Sequence, residues 1–342
     1  MIANFNSELI LEVGAFDREI KKLSGSKVFL ITSKTPYSLF KSSLKYLDYT
    51  KYLVKSNNLA EINNIVMSDI IDNFDVIIGF GSGTTIDFAK VVSFMKGKKL
   101  IAVPTILSSN VFATNKSVIV DKGKIKTISS KVPDKVIIDF KLIECTFERY
   151  SLIGLSDVLS IFTALFDWEL AVKHKKEKDN LIIANLAKSL LYYIKKNYPI
   201  IFEKNSESLE KLATLLLLSG YLTNIYGSGR PESGSEHMFA RALEECKVYR
   251  RKVLHGEAVL LGILLCSELQ GQANKFVYEI AKKINLHDVL INIPLNEDII
   301  TDLLLRASKI RRKRYSIFNT IKINQDLARQ IVQTVLYKLK NE

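Results

Sequence analysis

The chain has 342 residues, of which 47% are apolar and 25% charged, a composition typical of soluble globular proteins and a length sufficient for two domains. Its longest nearly uncharged apolar runs are about half of the roughly 20 residues that cross a bilayer, which argues against a membrane span. The formal charge of +13 would suit nucleic acid or a phosphorylated metabolite, but the basic residues are mostly scattered lysines without an RNA-binding motif or a zinc finger, which argues against nucleic acid.

The cysteines and the amino terminus indicate the cellular compartment in which the protein is expected. Cys145, Cys246 and Cys266 have no CxxC spacing, so neither a disulfide framework nor a thiolate metal site is expected, and we interpret them as buried free thiols. The first residues contain Glu8 and lack a basic start, so no signal peptide is predicted. We therefore expect a cytoplasmic protein.

Short β-branched runs alternate with helical periodicity over the first 150 residues. The runs are KVFLITS from residue 27, DVIIGFG from 75, LIAVPT from 100 and KVIIDFKLI from 135. Such alternation is typical of a parallel sheet with helices on its faces. Residues 117–128 are instead expected to form a hairpin that turns at residues 121–123. The sequence predicts a Rossmann-like α/β nucleotide-binding domain over residues 1–150.

After about residue 150 the strand signal ends. Long segments, which include LSDVLSIFTALFDWELAV from residue 155 and HGEAVLLGILLCSELQGQ from 255, space their apolar residues near the helical period of about 3.6. The sequence therefore predicts a helical domain over residues 151–342, with a cleft between the two domains.

The stretch DVIIGFGSGTTIDFAKVV places a glycine-rich turn between a buried strand and a helix. Gly79, Gly81 and Gly83 let backbone N–H groups approach a pyrophosphate closely, and the amino terminus of the helix adds partial positive charge. The spacing is neither GxGxxG nor a Walker GK[ST], and turns of this kind also occur without a ligand. On these residues alone the turn is a candidate phosphate site.

Three side chains of the helical half are candidate metal ligands. Asp157 lies in LSDVLS, His237 in SGSEHMF and His255 in LHGEA, 80 and 18 residues apart. A divalent metal that keeps positions open for substrate needs neutral histidines and a carboxylate that converge from separate helices. Because two histidines and an aspartate on helices are also common as plain core or surface residues, the spacing alone leaves both interpretations open. His174 and His287 have no such context and are interpreted as surface or helix-cap residues.

Several motifs together resemble a known family. The GxGxxxD pattern at residues 81–87 with Lys90, the segment VPTILSSN at 103–110, and the phrases FDWELA, GRPESGSEH and HGE resemble the sn-glycerol-1-phosphate dehydrogenase branch of the dehydroquinate synthase-like, iron-dependent alcohol dehydrogenase superfamily. The similarity extends over nearly the whole chain. It implies a dinucleotide-binding α/β domain followed by a helical metal-binding domain, and a metal-containing oxidoreductase that uses NAD(H) or NADP(H).

The resemblance also implies roles for particular residues. Metal binding and catalysis fall on Asp157, His237 and His255, with Zn²⁺ preferred over Fe²⁺ as the ion. Substrate binding falls on Asn110, Asp157 and Arg241. Cofactor binding falls on the glycine turn and on the Thr-Ser segment that follows the next strand, namely Gly81, Ser82, Gly83, Thr84, Thr85, Thr105, Ser108 and Thr114.

The substrate that the resemblance implies is dihydroxyacetone phosphate or glycerol 1-phosphate, or a related polyol phosphate. Two positions depart from the family, because Asn110 replaces an aspartate and Arg241 replaces a histidine one helical turn after His237. Both changes make the pocket more cationic, so the substrate is expected to be more anionic or differently shaped.

The alternative for Arg241 is a helical pair with Glu245. Further candidate phosphate partners, each also interpretable as a surface cation, are Arg230, Arg250 and the basic cluster at residues 311–316.

Two other functions stay open. The same superfamily contains carbocycle-forming lyases of the dehydroquinate synthase type, which use NAD transiently and release phosphate from a sugar phosphate. Asp157, in place of their usual glutamate, and the DW pair that follows it favour the dehydrogenase. A non-enzymatic scaffold or nucleic-acid-binding protein is disfavoured because Asp157, His237 and His255 are all present.

The residues after the first long strand bear on the choice of cofactor. NAD-selective proteins place a carboxylate there to accept from the ribose 2′-hydroxyl, whereas FLITSKTP offers Ser33 and Lys34. We therefore expect NADP(H) to be tolerated or preferred. We also expect a homo-oligomer that acts on a small phosphorylated substrate, without a nucleic-acid partner.

Overall fold

The computed structural model describes residues 7–341 except for residues 145, 147–149, 247, 250–251 and 311–312. The predictions for Cys145, for Arg250 and for the first two arginines of the 311–316 cluster lie outside the described residues. The chain divides into two compact units. The first comprises the residues up to Leu152 together with Glu203–Asn224, and the second comprises Ile153–Phe202 together with the residues from Ile225 onward.

The first unit is built around a parallel sheet that, among the described residues, has six strands in the order β1-β8-β5-β4-β2-β3. The strands in chain order, including the separate pair β6 and β7, are β1 (Glu8–Glu12), β2 (Lys27–Thr32), β3 (Asp48–Leu53), β4 (Val76–Gly81), β5 (Lys99–Pro104), β6 (Lys116–Asp121), β7 (Lys124–Ser129) and β8 (Lys135–Asp139). β6 and β7 are antiparallel and pair Asp121 with Lys124, which confirms the predicted hairpin.

The central strands are apolar on both faces because both faces are covered. In β2, Val28 and Leu30 join one buried apolar cluster, and Phe29 and Ile31 join the other. The flanking helices are α1 (Ala15–Lys21), α2 (Lys34–Phe40), α3 (Leu59–Met67), α4 (Gly83–Lys96) and α5 (Phe140–Glu144). The predicted parallel α/β architecture is confirmed.

Among the described residues, the second unit consists of helices and turns. After α5 the chain continues as α6 (Leu155–Leu159), α7 (Ile161–Lys173), α8 (Leu181–Ile201), α9 (Ser206–Tyr226), α10 (Ser235–Glu244), α11 (His255–Leu269), α12 (Lys275–Lys283), α13 (Leu286–Asn292), α14 (Glu297–Ala307), α15 (Ile317–Thr320) and α16 (Gln325–Asn341). α11 is buried on nearly every face and forms the centre of this unit. Within the described part of the chain, none of the helices combines the length and the hydropathy that crossing a bilayer requires.

α9 distinguishes the observed units from the predicted domains. A boundary at residue 150 assigns this helix to the helical domain, whereas its residues up to Asn224 belong to the first unit. Asn224 Nδ2 donates to the carbonyl oxygen of Ala113 at 2.8 Å, and Asn224 Oδ1 accepts from the backbone N–H of Asn115 at 2.9 Å. These long-range bonds fix α9 to the segment that follows β5, and helical periodicity carries no information about them.

Candidate metal and dinucleotide sites

Asp157, His237 and His255 converge in the second unit. Asp157 lies on α6, His237 in the first turn of α10, and His255 is the first residue of α11. Nε2 of His255 and Nε2 of His237 lie 3.3 and 3.9 Å from Asp157 Oδ1, and the three ligand atoms lie within 4.8 Å of one another. Among the described residues this is the one group of three or more His, Cys, Asp or Glu side chains with such geometry.

The local sequence explains how α6 and α11 come close. Gly256 packs directly against the backbone of Ile153, so a side chain at this position would collide with it. Glu257 accepts from the backbone N–H of Leu254 at 2.7 Å and caps the start of α11. The HGE phrase therefore supplies a candidate ligand, a close approach and a helix cap in three consecutive residues.

The donor set fits a divalent metal ion. Asp157 Oδ1 is buried, and no described group donates a hydrogen bond to it. A buried carboxylate oxygen without a partner is costly, and an ion that it shares with two imidazole nitrogens removes that cost. One carboxylate and two imidazoles also leave coordination positions open for substrate, and they suit zinc and iron alike.

Each imidazole is held by a glutamate at its other nitrogen. His237 Nδ1 lies 2.8 Å from Glu236 Oε1, and His255 Nδ1 lies 2.6 Å from Glu244 Oε1. A carboxylate that accepts from Nδ1–H fixes the tautomer in which Nε2 is free for a metal. Burial alone would raise the pKa of both glutamates, but the histidines outweigh it and lower the pKa of each.

Sequence reasoning did not identify Glu236 or Glu244, although a signal was present. Glu236 directly precedes His237, and Glu244 follows it by two helical turns on the same face of α10. His174 and His287, in contrast, lie outside this group.

The loop before α10 is fixed by α7. Asp167 is fully buried, and its Oδ2 accepts from the N–H of Ser235 at 2.6 Å while its Oδ1 accepts from the N–H of Ile317 at 2.7 Å. One carboxylate therefore caps both α10 and α15. Thr163, also on α7, donates from Oγ1 to Glu236 Oε2 at 2.7 Å. Burial and the neighbouring charge of Glu236 raise the pKa of Asp167 to about 7.

Two candidate phosphate partners bind backbone carbonyls instead. Arg230 is 1% exposed, and its Nη2 donates to the carbonyl oxygens of Asp167 at 2.9 Å and Tyr315 at 2.7 Å. Arg314 donates from Nη1 to the carbonyl oxygen of Ser233 at 2.7 Å. The two arginines tie the loop before α10 to the segment before α15, so the structure gives them a structural role in place of a phosphate contact.

Arg241 lies on α10 one turn after His237, in the same unit as the three candidate ligands. Its side chain is partly buried, and this burial lowers the pKa of the guanidinium, against the opposing effect of Glu244 and Glu245. The spacing of His237, Arg241 and Glu244 places all three on one face of the helix. The structure thus brings Arg241 to the face of α10 that carries His237.

The glycine-rich turn lies at the carboxyl end of β4 in the first unit. Gly81 has φ 153°, a backbone conformation that favours glycine, and a Cβ there would stand 2.9 Å from Thr85 Oγ1. At Gly83 a Cβ would meet nothing closer than 3.5 Å, so the packing of the protein does not itself demand glycine at this position. α4 begins at Gly83, and the N–H groups of its first turn are available to an anion.

The segment after β5 begins beside this turn. Gly81 pairs with Pro104 in the sheet, and the N–H of Thr105 donates to the carbonyl oxygen of Gly81 at 3.0 Å. Thr105 and Thr114 are buried, and Ser108 is half-buried. The glycine-rich turn and Thr105 therefore lie together at the carboxyl edge of the sheet.

The predicted substrate residues are divided between the units. Asn110 lies in the first unit, where its Nδ2 donates to Ser219 Oγ of α9 at 3.2 Å. Asp157 and Arg241 lie in the second unit. Ser33 and Lys34 directly follow β2, which neighbours β4, and Lys34 is exposed.

The chain is similar in sequence to known dehydrogenases. The sequence model of the family described as iron-containing alcohol dehydrogenase matches residues 12–145. Glycerol-1-phosphate dehydrogenase (NAD(P)+) of Thermococcus sibiricus is 30% identical over 81% of this chain and 78% of its own. The protein of the same name from Methanosarcina barkeri is 31% identical over 76% of this chain and 72% of its own.

Solved structures show the same fold at lower identity. A probable glycerol dehydrogenase from Sinorhizobium meliloti superposes with a TM-score of 0.77 at 18% identity and covers 98% of both chains. Glycerol dehydrogenase from Schizosaccharomyces pombe has a TM-score of 0.72 at 17% identity and covers 98% of this chain and 90% of its own. These likenesses confirm the predicted order of an α/β part followed by a helical part.

Proposed function

Because the chain belongs to the sn-glycerol-1-phosphate dehydrogenase branch of the iron-dependent alcohol dehydrogenase superfamily, we propose that it interconverts a phosphorylated ketone and its secondary alcohol with NAD(P)(H) and a divalent metal. The substrate pair is dihydroxyacetone phosphate and glycerol 1-phosphate, or a related polyol phosphate. The observation that carries the proposal is the convergence of two imidazole Nε2 atoms on one buried oxygen of Asp157.

Asp157, His237 and His255 are the residues that would hold the ion. A divalent ion at this site polarises the oxygen of the bound alcohol or ketone. Glu236 and Glu244 keep the two Nδ1 atoms occupied, so that both Nε2 atoms face Asp157. We propose Zn²⁺ over Fe²⁺, because two imidazoles and one carboxylate with an open position form a recurrent catalytic zinc site.

The dinucleotide binds in the first unit. The first turn of α4 would hold the pyrophosphate, because the absence of a side chain at Gly83 leaves the backbone N–H groups accessible. An exposed Lys34 after β2, in place of a carboxylate, supports the use of NADP(H). The residues that bind the cofactor in this proposal are Gly81, Ser82, Gly83, Thr84, Thr85, Thr105, Ser108 and Thr114.

Arg241 and Asn110 set the substrate preference. The guanidinium of Arg241 is partly buried on α10, and its planar fork can bind a substrate phosphate through two hydrogen bonds. Asn110, in place of the family's aspartate, removes one negative charge from the residues that we propose to bind substrate. Together they favour a phosphorylated substrate over an uncharged polyol.

The direct test is NAD(P)H oxidation by the purified protein with dihydroxyacetone phosphate, followed by the near-ultraviolet absorbance of the cofactor. We expect turnover that a metal chelator abolishes, and much slower turnover with dihydroxyacetone, which lacks the phosphate. The ratio of kcat/KM for NADPH and NADH in the same assay reports the cofactor preference. Release of phosphate from a sugar phosphate without net NAD(P)H consumption would contradict the proposal.

A further inference from the structure

Lys90 on α4 is a fully buried lysine with its ammonium group fixed in place. Nζ donates to the carbonyl oxygen of Val111 at 2.8 Å and to that of Lys116 at 2.5 Å. Asp87 Oδ1, one turn earlier on the same helix, lies 3.6 Å from Nζ. A lysine close after a glycine-rich turn suits phosphate binding, but the donors of this one are directed into the protein.

Asp87 is buried beside it and faces the same part of the chain. Its carboxylate accepts hydrogen bonds from the backbone of Val118 and from the side chain of Ser117. Burial raises the pKa of Asp87 to about 6 and lowers the pKa of Lys90 to about 8, although each charge favours the other. Burial of the two charges therefore costs free energy of desolvation.

The pair holds the segment between β5 and β6. Lys90 binds this segment at residues 111 and 116, and Asn224 of α9 binds it from another side at residues 113 and 115. Thr114, a proposed cofactor residue, lies between these anchor points, and Asn110 directly precedes the first. Because α4 also begins at the glycine turn, one helix positions both parts of the dinucleotide site.

We propose that Lys90, with Asp87, is a positioning residue that fixes the nicotinamide-side segment, residues 110–118, relative to the glycine turn, and that it does not bind the pyrophosphate. This inference rests on the dinucleotide site proposed above. Loss of the pair should leave the glycine turn able to bind a diphosphate while the nicotinamide end loses its ordered contacts.

The test uses the double variant Asp87→Asn/Lys90→Met, which removes both charges together. Either single change leaves an uncompensated buried charge and is expected to unfold the protein more readily. Calorimetric titration measures the affinity for NADPH and for 2′-phospho-ADP-ribose, which lacks the nicotinamide, or for NADH and ADP-ribose if the wild type prefers them. We expect roughly tenfold weaker NADPH binding, the effect of one or two lost hydrogen bonds, and unchanged affinity for 2′-phospho-ADP-ribose.

Two further variants complete the design. Lys96→Met removes another lysine of α4 and should change neither affinity. The Nζ atom of Lys96 lies 2.9 Å from Asp72 Oδ2, and the residue does not contact the nicotinamide-side segment through this pair. Asn224→Ala removes the anchor on α9 without removing a charge and should repeat the selective loss of NADPH affinity, which also decides the matter if the double variant does not fold.

Each outcome discriminates. If the double variant lost affinity equally for both ligands, Lys90 would be a pyrophosphate ligand and the inference would be overturned. Unchanged affinity for both ligands in the double variant and in Asn224→Ala would also overturn it. If the wild type bound neither ligand, the proposed dinucleotide site itself would fail.

Discussion

Glu19 in α1 is a buried carboxylate held by three cations. Lys135 and Lys22 donate to it at 2.7 Å each, and Arg18 Nε at 3.1 Å. Burial alone would raise the pKa of Glu19, but these bonds outweigh it and lower the pKa from 4.5 to about 2. A carboxylate with a depressed pKa stabilises the fold above its unfolded pKa, and this stability is lost as the pH falls from 4.5 toward 2.

The substitution Glu19→Gln should therefore lower the free energy of unfolding by up to about 3 kcal/mol at neutral pH, because the three cations lose their partner. The difference from the wild type should shrink below pH 4.5, where the wild-type carboxylate loses its advantage. Urea titrations at neutral pH and at successively lower pH measure it. A difference that stays constant with pH would show that the effect comes from packing alone.

Gly83 offers a test of the proposed dinucleotide cradle. The substitution Gly83→Ala adds a methyl group that meets only ordinary contacts within the protein, so thermal unfolding should change little. The same methyl group would stand beside the backbone N–H groups of the first turn of α4, so NAD(P)H affinity should fall about tenfold, equivalent to about 1.4 kcal/mol. Calorimetry and a melting curve separate the two effects, and unchanged affinity would remove Gly83 from the site.

Some residues of the candidate metal site could be identified from the sequence and others could not. Asp157, His237 and His255 stand in phrases that resemble a family, so they could be selected before their convergence was known. Glu236 and Glu244 could not be selected in the same way, because a glutamate on a polar helix face is ordinary until its distance to an imidazole is known. Arg230 was selected as a phosphate partner because the sequence does not show the distant carbonyl groups to which its buried guanidinium donates.

At the level of elements, α10 contains both His237 of the proposed metal site and Arg241 of the proposed substrate site. Arg241→Ala should raise KM for dihydroxyacetone phosphate, because a charge pair in a partly desolvated site contributes roughly 2 to 4 kcal/mol. Reduction of dihydroxyacetone, which has no phosphate, should change little. Steady-state kinetics with both substrates, beside a melting curve, give the answer. An unchanged KM with a lowered melting temperature would instead assign Arg241 to a helical pair with Glu245.

The elements that the sequence predicts well are those whose pattern is local. β2, β4 and β5 are buried on both faces and appear as continuous apolar runs, and the hairpin has its own turn signal. None of the residues of the edge strands β1 and β3 is buried, so their sequences carry a weaker strand signal. The position of α9 could not be predicted from the sequence, because two side-chain bonds of Asn224 across more than 100 residues help to decide it.

At the level of the whole molecule, the predicted homo-oligomer remains a prediction. Leu181, Ile182 and Tyr192 of α8 are 67%, 75% and 64% exposed, and we expect these apolar side chains to take part in the contact between copies of the chain. Light scattering on the purified protein should give a mass that is a multiple of 38.8 kDa. A single 38.8 kDa species at micromolar concentration would contradict the prediction.

The metal content of His237→Ala tests the central claim, that Asp157, His237 and His255 share one catalytic ion. Elemental analysis of the purified wild type should find close to one divalent ion per chain, whereas His237→Ala should lose most of it together with turnover and keep its circular dichroism spectrum. His287→Ala, at a half-buried histidine of the same unit that lies outside the candidate metal group, is the matched control and should keep metal and activity. A His237→Ala protein with the full metal complement would contradict the account.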